Sequence, residues 1–334
     1  MGVVSTPAAP HVSVVVPTYQ RCASLRRALE ALAAQTMSPN DFEVVVSIDG
    51  STDGTKEMLA GFRVPYPLIT HWQPNRGRAA ACNTGIRLAR GELIVLLDDD
   101  MQPAPEFLQA HAATHMTGRQ RAVMGAAPIV EVRKETPATR YVRRKFNQHL
   151  CRLADADHVF ALRDFYSGNL SIPRAVLLDA HGFDEGFTIY GNEDIELWWR
   201  LQAAGVELAF SETALAYQHY TKSFRELAHD YIAKGRTAVL LVSKHPATRE
   251  RTKLDSLARQ RWLKGALLHA LLAATRLAPA TLHSVIAMFS TLDAVRLPGL
   301  TRAVALVLDY CYFAGAQAAD DQAFRDRGQA MAVP

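Results

Sequence analysis

The sequence predicts an α/β protein: a mostly parallel, Rossmann-like sheet flanked by helices, with a helical C-terminal region. Three observations predict it. Through the first hundred residues, β-branched apolar runs alternate with helical patterns; a second ordered block spans Tyr166 to Phe210; beyond Tyr220 the pattern is almost wholly helical. Strand–helix alternation specifies parallel strands with helices packed on both faces.

Each element follows in order. Val12 to Val16 reads as a buried strand and Cys22 to Gln35 as a helix. Phe42 to Ile48 is a second strand and Gly54 to Phe62 a second helix. Leu68 to Trp72 is a weak third strand, Arg78 to Ala89 a helix closed by Gly91, and Glu92 to Leu97 a fourth strand. A helix then runs to about His115, and a strand covers Ala122 to Val130. Glu131 to Arg152, with seven basic and two acidic residues, reads as an excursion from the sheet. The second block holds a strand around Leu170, a helix after Pro173, a glycine-rich turn at Gly182 to Gly186, and a helix from Glu193 to Ala204. Asn192 stands at the N-cap position of that helix and Gly205 at C′.

Composition narrows the function classes. The 334 residues allow one large domain with an appendage or two modest ones, at ~150 residues per domain. Hydrophobic residues make up 49% and charged residues 21%, which excludes a disordered or fibrous chain. Lys and Arg number 37 against 33 Asp and Glu, too weak a bias for a dedicated nucleic-acid binder. Cys22, Cys82, Cys151 and Cys311 are scattered without zinc or disulfide spacing, which suits a reducing compartment. Met1 to Pro10 has no basic segment followed by an apolar one, so a cytoplasmic location is expected. The apolar tract Gly265 to Leu308 is cut by Arg276, Pro279, Asp293, Arg296 and Arg302 into pieces shorter than the ~20 residues of a spanning helix.

In sheets of this kind ligands bind at the carboxyl ends of the strands. There stands Asp98-Asp99-Asp100, directly after Leu93 to Leu97. Three adjacent carboxylates repel one another and are best tolerated when water or a cation neutralises them. Mg2+ or Mn2+ suits such a D-x-D spacing, since it bridges carboxylates to phosphate oxygens. The alternative is a solvated loop with one capping aspartate. Asp49 ends the second strand and is either a hydrogen-bond acceptor for the imino N–H of uracil, thymine or guanine, or the head of an Asx-turn. Neither a P-loop nor a dinucleotide fingerprint is present, so phosphates would be held by a metal and basic side chains. Glu193 and Asp194 open a helix, where the dipole keeps a carboxylate ionised for use as a base or merely as a dipole partner. His219 follows another expected strand and is a candidate metal ligand or a structural histidine. Trp198 and Trp199 are expected to split between core and surface.

The ordered set of segments from about His11 to Gly235 resembles the inverting family 2 glycosyltransferases of the GT-A fold. Val14 to Arg21 resembles the opening nucleotide-binding strand and Ser47 to Thr55 the base-binding turn. Asn75 to Arg78 and Ala81 to Ile86 precede the D-x-D run, and Ser167 to Pro173, Gly182 to Phe187 and the Glu-Asp helix follow it. The resemblance implies a nucleotide-sugar donor held by Pro17, Thr18, Tyr19, Arg21, Asp49 and Arg78, with Asp98 or Asp99 near the ribose. It implies Asp100 and His219 on a divalent metal, Gly168, Asn169 and Glu193 on the sugar or acceptor side, and Asp194 as general base. It further implies a catalytic domain over 1–222, with a nucleotide-binding half 11–100 and an acceptor half 101–222, followed by a helical region 223–334.

Two departures matter. Ile48 stands where many members carry a first aspartate, and there is no Q-x-x-R-W, the mark of processive synthases. The expected reaction is transfer of one or few sugars to a carbohydrate or lipid-linked acceptor. Nucleotidyl transfer and non-catalytic binding of a sugar nucleotide are the competing classes. A nucleotidyltransferase usually carries a Gly-rich basic loop where this chain has Pro-Thr-Tyr-Gln-Arg. Lys244 to Lys264 carries seven basic and two acidic residues ahead of Leu/Ala-rich helices. That combination suits peripheral contact with an anionic membrane face; packing on the catalytic domain or on a second subunit is the alternative.

Overall fold

The computed structural model describes residues 11–116, 120–260, 262–297 and 299–331, with side chains described as far as residue 321. The Met1 to Pro10 reading lies outside the described residues. The chain divides into two compact units. One comprises Met1–Val130, His149–Thr188 and Asp194–His219; the other comprises Glu131–Gln148, Ile189–Glu193 and Tyr220–Pro334. The first unit is thus discontinuous in sequence, with residues 131–148 and 189–193 belonging to the second.

The first unit is built on a seven-stranded sheet of order β3-β2-β1-β4-β7-β6-β8. Its strands are β1 (Val12–Thr18), β2 (Phe42–Asp49), β3 (Leu68–Gln73), β4 (Leu93–Leu97), β6 (Arg121–Gly125), β7 (Asn169–Pro173) and β8 (Glu207–Ser211). Pairing is parallel except around β7, which runs antiparallel to both β4 and β6. β1, β2 and β4 are buried along their whole lengths, as helices on both faces require. Their register, with Val12 opposite both Phe42 and Leu93, brings Thr18, Asp49 and Asp98 to one edge. At the other edge the buried Glu43 accepts from Ser13 Oγ at 2.7 Å and from Arg90 Nη2 at 2.6 Å, which explains an acid in a central strand.

The helices α1 (Cys22–Ala33), α2 (Thr55–Gly61), α3 (Arg78–Leu88), α4 (Phe107–His115), α6 (Arg174–Asp179) and α7 (Glu193–Ala203) follow the expected pattern. In α3 every residue from Ala79 to Ile86 is buried. Its small side chains let it lie close on β1 and β2, where a Cβ at Gly85 would overlap Val15. Trp198 is buried and stacks on Phe165 with ring centroids 5.3 Å apart, whereas Trp199 is half-buried.

Two readings need correction, and two elements, a short strand and a long helix, went unread. The strand expected over Ala122 to Val130 stops at Gly125. The short strand β5 (Met101–Pro103), paired antiparallel with β9 (Ala216–Gln218), had no clear signal. The basic stretch Glu131 to Arg152 leaves the sheet as expected, and it contains a long helix, α5 (Pro137–Leu153). Asn192 is not a side-chain N-cap: its backbone is left-handed (φ 61°), and its amide donates to Lys234 O at 3.0 Å and Thr237 Oγ1 at 2.8 Å.

The second unit is helical, with α8 (Phe224–Lys244), α9 (Trp262–Leu277), α10 (Ala280–Ala294) and α11 (Thr301–Met331) joined by the first part of α5. Ser223 and Glu226 form a capping box that starts α8. α8 and α11 meet through Gly235 and Gly315. A Cβ at either glycine would overlap a backbone carbonyl of the other helix, Tyr312 O or Ile232 O. Phe224, Leu227, Val304 and Leu308 pack beside this crossing. Asp293 of α10, almost wholly buried, accepts from Ala138 N at 2.8 Å and so satisfies the first turn of α5. Among the described residues no helix is long and apolar enough to cross a membrane.

Candidate active site

The carboxyl edge of β1, β2 and β4 carries the chemistry. Gln20, in a left-handed conformation at φ 55°, turns the chain after β1. Its N–H donates to Ser51 Oγ at 2.9 Å, and its side chain pairs with Thr52 through Nε2 and Oε1. Asp53 then accepts from Cys22 N at 2.8 Å, satisfying the start of α1 from a different loop. The loops after β1 and β2 are thereby tied into one floor.

Asp98, Asp99 and Asp100 follow β4, and each has a different partner. Asp98 Oδ1 accepts from Arg78 Nη2 at 2.7 Å, while Arg78 Nη1 donates to Ser167 Oγ at 3.0 Å. The other oxygen of Asp98 packs against Gly168, where an added Cβ would stand 2.5 Å away. Asp99 Oδ2 accepts the Thr18 hydroxyl at 2.7 Å. Burial pushes the Asp99 carboxyl up to about 7, against the opposing pull of Arg21 and of the Thr18 hydroxyl. Asp100 takes Arg21 Nη1 at 3.2 Å and Gln218 Nε2 at 3.4 Å. Burial works against the Arg21 charge, but Asp99, Asp100 and Asp98 together raise its pKa.

Carboxylate oxygens are the ligands Mg2+ and Mn2+ prefer, and such ions complete their shells with substrate phosphates and water. The Asp100 contacts are long for hydrogen bonds and are readily exchanged. His219 donates its backbone N–H to Asp100 O at 2.9 Å, so the two residues are neighbours. Burial and Arg27 lower the His219 pKa, favouring the neutral, ligating imidazole. Its Nε2, however, lies 2.8 Å from Gln102 Oε1. Among the described residues no three His, Cys, Asp or Glu side chains form a ready-made cage. The acids fit a cation that is completed by its substrate.

Of the other sequence candidates, Pro17 is buried opposite Ser47 within the sheet and Tyr19 is half exposed beyond it. Asp49 Oδ1 accepts from Gln73 Nε2 at 2.8 Å and Arg76 N at 3.0 Å, and Oδ2 from Gly77 N at 2.9 Å. It shapes the loop that delivers Arg78, and a carboxylate with about four acceptor positions keeps room for one more donor. Asn169 is wholly buried: its amide donates to Ala126 O and Ala214 O and its carbonyl meets His111 Nε2 at 2.8 Å. That saturation makes Asn169 a brace for β7 rather than a group presented to a ligand. Glu193 is buried and accepts from Gly191 N at 2.8 Å; Asp194 follows it and accepts from Ile195 N at 2.8 Å in the first turn of α7.

Sequence reasoning missed Gln20, Asp53, Ser167, Gln218 and His111. Asp53 carried a signal in Ser51-Thr52-Asp53-Gly54-Thr55, a turn in which Asp53 Oδ1 also accepts the Thr55 hydroxyl at 2.5 Å. Two open cavities lie in the same unit. One, of about 370 Å³, is lined by Asn75, Arg76, Glu185 and Thr188. Another, of about 630 Å³, is lined from Gln120, α6 and α7 and contains none of the aspartates after β4.

The sequence model of Glycosyl transferase family 2 matches residues 13–170, and that of the N-terminal domain of galactosyltransferase matches residues 148–227. Residues 13–170 of this chain are thus similar to glycosyltransferase family 2. Validoxylamine A glucosyltransferase of Streptomyces hygroscopicus subsp. limoneus is 34% identical over 226 residues, covering 60% of this chain and 50% of the relative. Chondroitin synthase of Escherichia coli is 26% identical over 276 residues, covering 73% and 40%. The chain spans about half the length of the curated relatives it matches first. Among solved structures, the mannosyltransferase PcManGT from Pyrobaculum calidifontis, in complex with GDP-Man and Mn2+, superposes with a TM-score of 0.60 at 24% identity, covering 94% of this chain and 88% of that one. S. aureus TarS 1–349 in complex with UDP-GlcNAc gives 0.53 at 17%, covering 93% and 92%. These likenesses show the GT-A fold.

Proposed function

We propose that the protein is a family 2 glycosyltransferase that moves a sugar from a nucleotide-sugar donor to an acceptor hydroxyl by a single displacement with inversion, one or few sugars at a time. The observation that carries the reading is the acid run Asp98 to Asp100 at the carboxyl edge, gripped by Thr18, Arg21 and Arg78. Two similar folds bound to GDP-Man and UDP-GlcNAc support a UDP- or GDP-sugar as donor, and a dTDP-sugar offers the Asp49 carboxylate the same imino N–H as UDP. Asp49 and the exposed Tyr19 are the groups offered to the base, and Arg21 and Arg78 supply positive charge for phosphates.

Asp100, with Asp99 and His219 beside it, would hold Mn2+ or Mg2+. When bound, that ion draws negative charge off the departing diphosphate. Asp194 stands in the first turn of α7, where the helix dipole favours its ionised form. In this reading it takes the proton of the acceptor hydroxyl as the oxygen attacks the anomeric carbon. One base suffices because no covalent glycosyl intermediate has to be resolved. Glu193 and Gly168 lie beside the base and the acid run and shape the sugar side.

A thermal-shift screen of UDP-, GDP- and dTDP-sugars with and without Mn2+ tests the donor assignment, because a ligand bound only by the folded state raises apparent stability. A metal-dependent shift with one base class supports it; no shift with any donor overturns it. Proton NMR of the product anomer then tests inversion.

A second reading concerns the acceptor. Trp262, Leu263, Leu267 and Leu277 of α9 are 79%, 65%, 46% and 89% exposed, and the helical period places them on one face. Such a face suits shallow burial in a bilayer surface and hence a lipid-linked acceptor. Sedimentation with anionic liposomes at low salt tests this, and absence of binding removes it.

A further inference from the structure

We propose that Asn83 and Phe183 are positioning residues for Arg78: Asn83 fixes the backbone of Phe183, and the Phe183 ring is the platform that aims the Arg78 guanidinium at the diphosphate of the donor. The inference deepens the glycosyl-transfer reading and rests on it. Every residue involved lies in the first unit.

Arg78 opens α3, and Asn83 stands on the same helix. The loop that carries Phe183 is tied to this helix at two points. At the first, Asn83 pairs with the Phe183 backbone as a neighbouring strand would. Its Oδ1 accepts from Phe183 N at 2.8 Å and its Nδ2 donates to Phe183 O at 2.8 Å. At the second, Glu185 Oε1 accepts from Asn83 Nδ2 at 3.1 Å, while its Oε2 accepts from Arg76 Nη2 at 2.6 Å. Asparagine is needed here because aspartate has no donor and glutamine is one methylene longer. Gly182 leaves the room for it: the backbone is left-handed (φ 65°), and an added Cβ would overlap Asn83 Oδ1.

The ring held in this way lies beneath Arg78. Arg78 Cζ is 5.9 Å from the centre of the Phe183 ring, and Phe183 is 2% exposed. A guanidinium over a desolvated aromatic face is attracted to it. Arg78 also donates from Nη2 to Asp98 Oδ1 at 2.7 Å and from Nη1 to Ser167 Oγ at 3.0 Å. The guanidinium is a rigid plane with its N–H donors in a fixed fork, so two edge contacts and one face contact define where the whole group sits. Its side chain is 19% exposed and stays open to a ligand. A fork held in place beforehand meets phosphate oxygens without the entropy cost of ordering a long side chain on binding. Bracing of the loop accounts for the Asn83 bonds alone; the ring beneath the arginine that grips Asp98 assigns the positioning role.

The test uses the full chain as wild type, Phe183→Leu, Phe183→Tyr, Asn83→Asp, Arg78→Gln and the double variant Arg78→Gln/Phe183→Leu. UDP and GDP are titrated calorimetrically with Mn2+ present, and circular dichroism checks folding. Wild type is expected to bind at least one of the two. Phe183→Leu keeps apolar bulk without the ring and is expected to bind that diphosphate about three- to thirtyfold more weakly, whereas Phe183→Tyr retains wild-type affinity. In the Arg78→Gln background the leucine substitution is expected to change nothing further, a coupling that general loss of packing does not produce. Asn83→Asp carries the same expected loss from the backbone side and serves if Phe183→Leu does not fold. Wild-type affinity in these variants, a tyrosine variant as weak as the leucine one, or an equal loss with and without Arg78 overturns the positioning role and leaves the transfer reading standing. If wild type binds neither UDP nor GDP, the donor reading fails and the positioning role falls with it.

Discussion

Thr18 at the end of β1 donates its hydroxyl to Asp99 Oδ2 at 2.7 Å, across eighty-one residues of sequence. The bond ties the first strand to the acid run at a carboxylate that is only 8% exposed. Replacing Thr18 by valine removes the donor and keeps the shape. A buried acceptor left without its partner costs about 1–3 kcal/mol. Thr18→Val is therefore expected to lower stability in urea melts by about that amount and to weaken donor binding, whereas Thr18→Ser restores both. A valine variant as stable as wild type would remove Thr18 from the account.

Gly168 is small because Asp98 occupies the space a side chain would need, with an added Cβ 2.5 Å from Asp98 Oδ2. Its carbonyl also accepts from Asp98 N at 2.9 Å, so it is fixed in place. Gly168→Ala is expected to displace the Asp98 carboxylate from Arg78, with circular dichroism unchanged and donor turnover reduced by about tenfold or more. Turnover equal to wild type would show that the position of Asp98 is not limiting.

How much of this was legible depends on where each residue's partners lie. β1, β2 and β4 were readable because burial on both faces leaves uninterrupted apolar runs, and the acid run announced itself by sitting where β4 ends. α5 was not, since its basic pattern hides an amphipathic helix whose first turn is satisfied by Asp293, 155 residues later. Asp49 and Asn169 were read as base and sugar-side contacts, whereas their present partners include backbone groups of distant loops that no local pattern encodes. The antiparallel insertion of β7 was equally silent, because strand direction is set by the path of the chain before it.

Asp49 offers a test of loop shaping. Its two oxygens accept from Gln73, Arg76 N and Gly77 N. Asp49→Asn sets an amide N–H against one of these donors, and the mismatch costs about 1–3 kcal/mol. Hydrogen exchange is expected to accelerate at Arg76 and Gly77 while the strand amides of β1 stay protected. Unchanged exchange at both would show that the carboxylate does not hold the loop.

His111 sets the acid limit of stability. It is fully buried between Ser171 and Asn169, and burial lowers its pKa from 6.5 to about 4, with the Asn169 bond opposing. The folded state therefore resists a proton that the unfolded state accepts. The stability governed by His111 is unaffected above pH ~6.5, falls as the pH drops from ~6.5 towards ~4, and levels off below, a loss on the order of 3 kcal/mol that His115, also lowered to about 4, adds to and Asp99, raised to about 7, opposes. His111→Gln is expected to flatten that segment of the stability profile measured by urea melts. The same slope in the variant would place the titrating group elsewhere.

In the proposed reaction Asp194 deprotonates an acceptor while the acids after β4 serve the donor. The most direct measurement is nucleoside diphosphate release from the accepted donor with Mn2+ and acceptor, for wild type and Asp194→Asn. The variant is expected to keep the donor-induced thermal shift and to lose turnover by about a hundredfold or more. Full turnover in Asp194→Asn would contradict the account.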